Sequence, residues 1–274
     1  MLTSSQRRGA DRIGIVVVMN VLWVLAHPEE RSLNSALHRD GIAALTEAGH
    51  QVEVSDLYAM KWNPVVDRDD YAMGDERLHV SKASQHALET GTLSPEVRAE
   101  QAKLDRADLL VTQFPLWWFG VPAILKGWID RVFVRGYAYS IPDPQRPGRT
   151  KRYGTGGLAG KRALAIVTVG GAEEGYGPRG IDGELAQVLF PLLHGTFFYT
   201  GMSPMPPIGI HSANHLSTED YKAVRVELRA RLATVETDPP IPYRTQNGGD
   251  YDDAMILRPD LAADRTGLGV HLTM

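Results

Sequence analysis

The hydrophobic positions along this chain fall into two alternating rhythms. Unbroken apolar runs at residues 20–26, 109–114 and 162–169 read as strands buried on both faces, and 51–56 as a shorter one. Between them apolar residues recur at helical spacing. Leu37, Ile42 and Leu45 mark a helix over 34–48, which Gly49 stops. Further helices are expected at 96–106, 182–193 and 218–235. The sharpest begins at Pro122, whose fixed φ suits a first turn, and carries Ile124, Leu125, Trp128, Ile129, Val132 and Phe133 on one stripe. TFFYT at 196–200 reads as a fifth strand. Strands alternating with helices predict an α/β fold, an open, doubly wound parallel sheet of five strands with helices on both faces. The regular domain spans 19–235. Residues 58–92 form a polar excursion with some helix, and 142–160, rich in Pro, Gly and basic residues, a loop. The Pro-rich tail at 236–274 is irregular, either a dimer arm or a loosely ordered end.

Composition narrows the chemistry. Of 274 residues 43% are hydrophobic, enough for a sizeable core, and a net charge of −4 argues against a nucleic-acid partner. The chain has no cysteine, which excludes disulfides, thiolate metal sites and cysteine nucleophiles, so any redox chemistry needs a bound cofactor. The apolar run at 13–26 follows Arg7, Arg8 and Arg12, as a signal peptide would. It is short for a membrane span, and His27-Pro28-Glu29-Glu30 follows it instead of a small-residue cleavage site. It reads as the first strand, opened by Met19 as a natural start, with 1–18 as an upstream extension. The chain is expected to be cytoplasmic and not membrane-inserted. His79, His86, His194, His211 and His215 lack metal-ligand spacing and read as surface or loop residues. The acidic run at 67–70 reads as a solvated turn, the basic residues of 146–152 as an exposed loop, and no metal is expected.

Sheets of this kind bind ligands beyond the carboxyl ends of their strands, which directs attention to three loops. The first holds His27, Ser32 and Asn34 ahead of a helix, where free N–H groups favour an anion; taken alone, Ser32 reads better as a simple helix cap. The second, Pro115-Leu116-Trp117-Trp118-Phe119, suits a flat ligand, although burial as an apolar plug is expected for at least one tryptophan. The third has Thr168, the close-approach pair Gly170-Gly171, and Tyr176 among glycines, where an ordinary glycine turn is the plain alternative. No P-loop or Rossmann fingerprint is present. Anion site, aromatic platform and close-approach wall together fit a flat, phosphorylated cofactor, with flavin the natural candidate.

At these residues the chain resembles the NAD(P)H:quinone oxidoreductases of the DT-diaphorase type, which are flavodoxin-like flavoproteins. The resemblance runs through VLAHPEERSLN, VEVSDLYAMKWNPV, LSPEVRAEQAKLD, QFPLWWFGVPAILKGWIDRVF, TVGGAEEGYGPRGIDGE and GLGVHL. It implies a homodimer with FAD, or alternatively FMN, in each of two interface sites, and ping-pong hydride transfer from NAD(P)H to a quinone. By the same resemblance His27, Ser32, Leu33 and Asn34 hold the pyrophosphate. Pro115, Leu116, Trp117, Trp118 and Phe119 line the flavin, and Thr168, Gly170, Gly171 and Tyr176 contact its ring system. Trp118, Phe119 and the partner's Tyr139 form the pocket shared by nicotinamide and quinone. Tyr176 and Asp182 occupy the catalytic positions, but relatives carry histidine where this chain has Asp182. Either a protonated Asp182, Tyr176 alone, or a nearby Lys or Arg then meets the charge of the reduced flavin. Ile141 replaces a second aromatic, and Tyr221 stands where an arginine is expected near the adenosine. Rival readings are an azo, nitro or flavin reductase, a flavin-bound regulatory subunit of a membrane transporter, and a one-electron shuttle.

Overall fold

The computed structural model describes residues 18–273; the extension expected at 1–18 lies outside them except for Val18. The chain runs β1 (Asn20–Leu25), α1 (Leu33–Glu47), β2 (Gln51–Asp56), α2 (Val80–Thr90), α3 (Pro95–Arg106), β3 (Leu109–Pro115) and α4 (Ala123–Val132). A small hairpin of β4 (Ile141–Pro142) and β5 (Thr150–Lys151) precedes β6 (Arg162–Thr168). The short helices α5 (Leu185–Val188) and α6 (Phe190–Leu192) follow, then β7 (Ser203–Pro204), β8 (Ile208–Ile210) and α7 (Thr218–Ala233).

All pairings in the main sheet are parallel, in the order β2-β1-β3-β6, with β7 and β8 sharing the lane beyond β6. Five lanes therefore form, as the pattern predicts. Both faces of the central strands β1, β3 and β6 are covered because consecutive residues, pointing to opposite faces, are both apolar and buried. Val21 and Trp23 of β1 pack with Leu37 and Leu45 of α1 and with Leu228 and Leu232 of α7. Leu22 and Val24 face Leu104, Leu125 and Trp128 on the other side. The chain leaves β1 for β2 on one flank and reaches β3 on the other, so the topological switch lies between β1 and β3.

Three expectations need correction. Residues 196–200 are not a strand: Leu193–Phe198 is a wide helical turn continuing α6. Leu193 and Phe197, four apart, are fully buried on its inner face, and the Thr200 hydroxyl donates back to the Thr196 carbonyl at 2.9 Å. The β-rich composition of TFFYT is overridden by this helical burial. The fifth lane lies later and is split, because Pro206 and Pro207 between β7 and β8 have no N–H for the ladder. The helix expected from 182 starts at Leu185, after a turn in which Gly183 takes φ +80°. The third correction is the acidic run at 67–70, which is not wholly solvated. Asp70 is buried and accepts from the Arg131 Nε at 3.0 Å, while the same guanidinium sits 4.6 Å over the Trp62 ring. Arg131 lies on the buried face of α4, so it needs a carboxylate there and latches the polar excursion onto the core.

The tail is irregular yet packed. Ile241 donates its amide to the Pro204 carbonyl at 2.8 Å, Tyr243 is buried, and Tyr243 bridges to Leu272. Among the described residues no helix is long and apolar enough to cross a membrane.

Candidate active site at the carboxyl edge of the sheet

Ser32 does cap α1, its hydroxyl accepting the Ser35 amide at 3.2 Å, while Ser35 donates its own hydroxyl to the Glu29 carbonyl at 3.0 Å. Capping does not exhaust the helix start. Among the described residues the Leu33 and Asn34 amides make no backbone hydrogen bond, and no acidic residue occupies the first turn. Two donors at the positive end of a helix of 15 residues are thus left for an anion. His27 sits beside them, with Nδ1 3.1 Å from the Glu29 amide nitrogen. Burial lowers its pKa, the Glu29 contacts opposing. A neutral ring accepting at Nδ1 carries its proton on Nε2, as a further donor.

The Asn34 side chain is engaged inside the fold. It donates to the Thr168 hydroxyl at 2.7 Å, and Gln113 donates to the Asn34 carbonyl at 2.7 Å. Trp23 in turn donates to Gln113 at 3.0 Å. What Asn34 offers a ligand is its backbone amide, while the Thr168 hydroxyl accepts from Asn34 and keeps its own O–H to donate. This buried chain joins β1, β3, β6 and α1 at the switch point. Sequence reading missed Gln113 and Trp23 as site supports, although a glutamine inside an apolar strand has to find partners.

The aromatic loop turns tightly. Trp117 and Gly120 exchange backbone hydrogen bonds of 3.2 and 3.0 Å, and Trp118 and Phe119 at the tip take φ +50° and +56°. Both central residues with positive φ make a type I′-like turn, which ordinarily demands Asn-Gly. Two aromatic side chains are held there at a steric cost of ~1–2 kcal/mol each. Little is buried in return at the tip: Trp118 is 99% exposed and Phe119 52%, while Trp117 at the base of the turn is 46% exposed. The apolar-plug reading therefore fails for Trp118, while Trp117 is half-buried. Strained, exposed aromatics next to the switch point have the form of a ligand platform.

The third loop closes on the second. Leu116 donates its amide to the Thr168 carbonyl at 2.9 Å, and the Phe119 and Tyr176 rings lie 6.4 Å apart. Gly170 and Gly171 are exposed at the head of this loop. Space there is limited, since a Cβ on Gly171 would lie 3.1 Å from Tyr176 Cε2, and one on Gly175 would lie 2.7 Å from Asp182 Oδ2. Asp182 is thus folded back beside Tyr176, its amide held by the Gly175 carbonyl at 3.0 Å. Burial, and then the Asp182 charge, raises the Tyr176 pKa, so its phenol stays a proton donor at neutral pH.

Not every expected residue joins this cluster. Tyr139 lines a separate cavity of about 250 Å³ with Tyr71, Phe133 and Tyr199, to which none of the three loops contributes. Tyr221 donates its hydroxyl to Asp40 of α1, and Arg225, one turn later, pairs with Asp40 at 3.0 Å. Of the histidines read as surface or loop residues, His194 is neither, and His211 is a loop residue that turns inward. His194 is buried among aromatic rings, and His211 packs 5.3 Å from the Tyr176 ring. For His211 the sequence carried no signal, because it reaches Tyr176 from the loop after a different strand.

Residues 19–234 match the Flavodoxin_2 family, described by its flavodoxin-like fold. The chain belongs to this family. Among flavodoxin-like relatives, the chain is 44% identical to the ribosyldihydronicotinamide dehydrogenase-like protein traD of Penicillium crustosum, over 92% of this chain and 95% of that protein. It is 36% identical to NAD(P)H dehydrogenase [quinone] 1 of Rattus norvegicus, over 82% and 81% of the two chains. A candidate quinone reductase structure from Klebsiella pneumoniae superposes with a TM-score of 0.90 at 45% identity, covering 93% of this chain and all of the other. The flavodoxin-like assignment and the position of the three loops agree: they lie where such sheets receive ligands.

Proposed function

We infer that this chain is an NAD(P)H dehydrogenase (quinone), a cytoplasmic homodimer that uses a bound flavin to reduce quinones with two electrons from NAD(P)H. The observation that carries the reading is the Trp118-Phe119 turn, strained and exposed, set against Tyr176 at the switch point of a sheet whose relatives are quinone reductases. The residues fit a flavin. The Leu33 and Asn34 amides and His27 Nε2 would hold its phosphates, with Ser32 shaping the helix start. Pro115, Leu116, Trp117, Trp118 and Phe119 would line one side of the ring system, with Gly170, Gly171 and Tyr176 on another. The flavin, when bound, supplies acceptance of hydride from the nicotinamide and its delivery to the quinone. The protein's part is orientation and electrostatics. Trp118 and Phe119 offer a flat surface on which nicotinamide and quinone stack in turn, a ping-pong order that follows from sharing one pocket. Tyr176 holds a proton in a hydrogen bond toward the charge that develops on the flavin ring. Trp118 is so exposed that a second subunit is needed to close the pocket, and Tyr139, remote from the loops of its own chain, would supply that wall to its partner.

The resemblance to the NAD(P)H:quinone oxidoreductases favours FAD over FMN, so the first experiment identifies the cofactor. Visible spectra of the purified protein are recorded before and after anaerobic NAD(P)H, and the released flavin is separated by chromatography. Bound flavin that bleaches with NAD(P)H and recovers with a quinone supports the reading. Flavin that NAD(P)H does not bleach would move the shuttle or regulatory readings ahead of it.

A further inference from the structure

His211 follows β8, the outer fragment of the fifth lane, and therefore reaches the site from the far side of β6. Its neighbours pin it there. Ser212 donates its amide to the Gly171 carbonyl at 2.8 Å, and Ala213 donates to the Val169 carbonyl at 2.9 Å, so the loop after β8 is stitched to the loop that carries Tyr176. Gly209 makes room for the ring and for Leu185: a Cβ there would stand 2.6 Å from Leu185 Cδ2 and 2.9 Å from His211 Nε2. The imidazole consequently lies back against Tyr176, ring centroids 5.3 Å apart and planes tilted by 47°. Its Nδ1 is buried with no hydrogen-bond partner among the described residues. A buried, unpartnered ring nitrogen is unfavourable in a purely structural residue and calls for a reason.

The reason lies in Asp182. A carboxylate beside Tyr176 has the wrong sign for a site whose ligand gains negative charge on reduction, and nothing in the Gly170–Asp182 loop offsets it at the phenol. We propose that His211 is a positioning residue for Tyr176, packing the phenol in place and setting an imidazole N–H beside it on the side away from Asp182 Oδ2. The proposal rests on the flavin reading above. Two side chains from different strands, Tyr176 after β6 and His211 after β8, then act as one unit.

The test uses the flavin-loaded protein and three readouts: flavin affinity, midpoint potential of the bound flavin, and the rate of its anaerobic bleaching by NAD(P)H. His211→Phe keeps a ring against Tyr176 and removes the nitrogens. It is expected to slow bleaching about tenfold or more and to shift the potential negative, with flavin affinity unchanged. Tyr176→Phe combined with His211→Phe is expected to be no slower than Tyr176→Phe alone, since His211 acts through the phenol. Asp182→His placed in the His211→Phe background is expected to recover most of the rate. His211→Gln, which keeps an N–H donor of similar reach, is expected to retain more of the rate than His211→Phe, and serves if the phenylalanine variant does not fold. A His211→Phe protein with wild-type rate and potential, or a double variant whose losses multiply in full, overturns the proposal while leaving the function intact. A wild-type protein that NAD(P)H does not bleach overturns the function itself, and this proposal with it.

Discussion

Tyr176 is the residue on which the chemistry turns, and its surroundings allow its behaviour to be forecast. Burial first, and the Asp182 charge second, hold its pKa above the ordinary value of 10. The donor form therefore persists through neutral pH and is lost only as pH rises through the elevated value, which sets an alkaline limb on hydride transfer. Asp182→Asn removes the charge that opposes ionisation, so that limb moves to lower pH, toward 10; an unmoved limb would assign it to another group. Tyr176→Phe should slow flavin bleaching in stopped flow by about tenfold, the worth of one hydrogen bond, and abolish the limb. Gln113 deserves the same attention for stability. Gln113→Leu leaves the Trp23 indole N–H buried without a partner and removes the second hydrogen bond to the Asn34 carbonyl, a cost of about 1–3 kcal/mol that a urea unfolding midpoint would report. Tyr176 was legible in the sequence because glycines surround it. His211 was not, because no local pattern says that the end of one strand will fold over the loop of the next.

At the scale of the element, the turn at Trp117–Gly120 shows function overriding propensity. Alternation and run length correctly located β1, β2, β3, β6 and the helices α1, α3, α4 and α7, since each buries a face that the pattern declares. They failed at Leu193–Phe198, where aromatic and β-branched residues suggested a strand but the burial of Leu193 and Phe197 requires a helical period. The left-handed turn was invisible for a different reason: type I′ geometry is read from Asn-Gly, and here the positions hold Trp118 and Phe119. Restoring the favoured residues tests the cost. Trp118→Asn with Phe119→Gly should stabilise the protein by ~1 kcal/mol, the relieved strain outweighing the half-buried contact that Phe119 gives up, since the exposed Trp118 gives up almost none. The same variant should lose flavin reduction by NAD(P)H. A melting temperature that falls would show that these aromatics support the fold, and the platform argument would lose its main premise.

Across the whole molecule, the tail is held to the domain by a cluster of rings that is sensitive to acid. His194 stacks on Phe190 at 4.5 Å and on Tyr153 at 4.9 Å, meets the edge of Tyr243 at 4.8 Å, and lies 5.7 Å from His271. It thereby joins the basic loop, the wide helical turn and the tail. Burial, and then the proximity of His271, lowers the His194 pKa from 6.5 to about 4. His27, His38 and His271 are lowered as well, each chiefly by burial. A histidine kept neutral in the fold takes up its proton more readily when unfolded. Its contribution to stability is therefore present above pH 6.5, falls as pH drops below that value, and is fully lost below about 4. For His194 the span corresponds to at most ~3 kcal/mol. The carboxylates whose pKa is lowered, Asp220, Asp260 and Glu29, are exposed and titrate below their ordinary values of 3.8 and 4.5, so this window belongs mainly to histidine. The melting temperature should decline between pH 6.5 and 4, and limited proteolysis at pH 5 should cut within 236–274 before it cuts the sheet. His194→Phe keeps a ring in the stack and cannot be protonated. It should flatten the decline in that window alone; a slope equal to wild type would place the acid sensitivity elsewhere and leave the ring cluster a purely apolar joint.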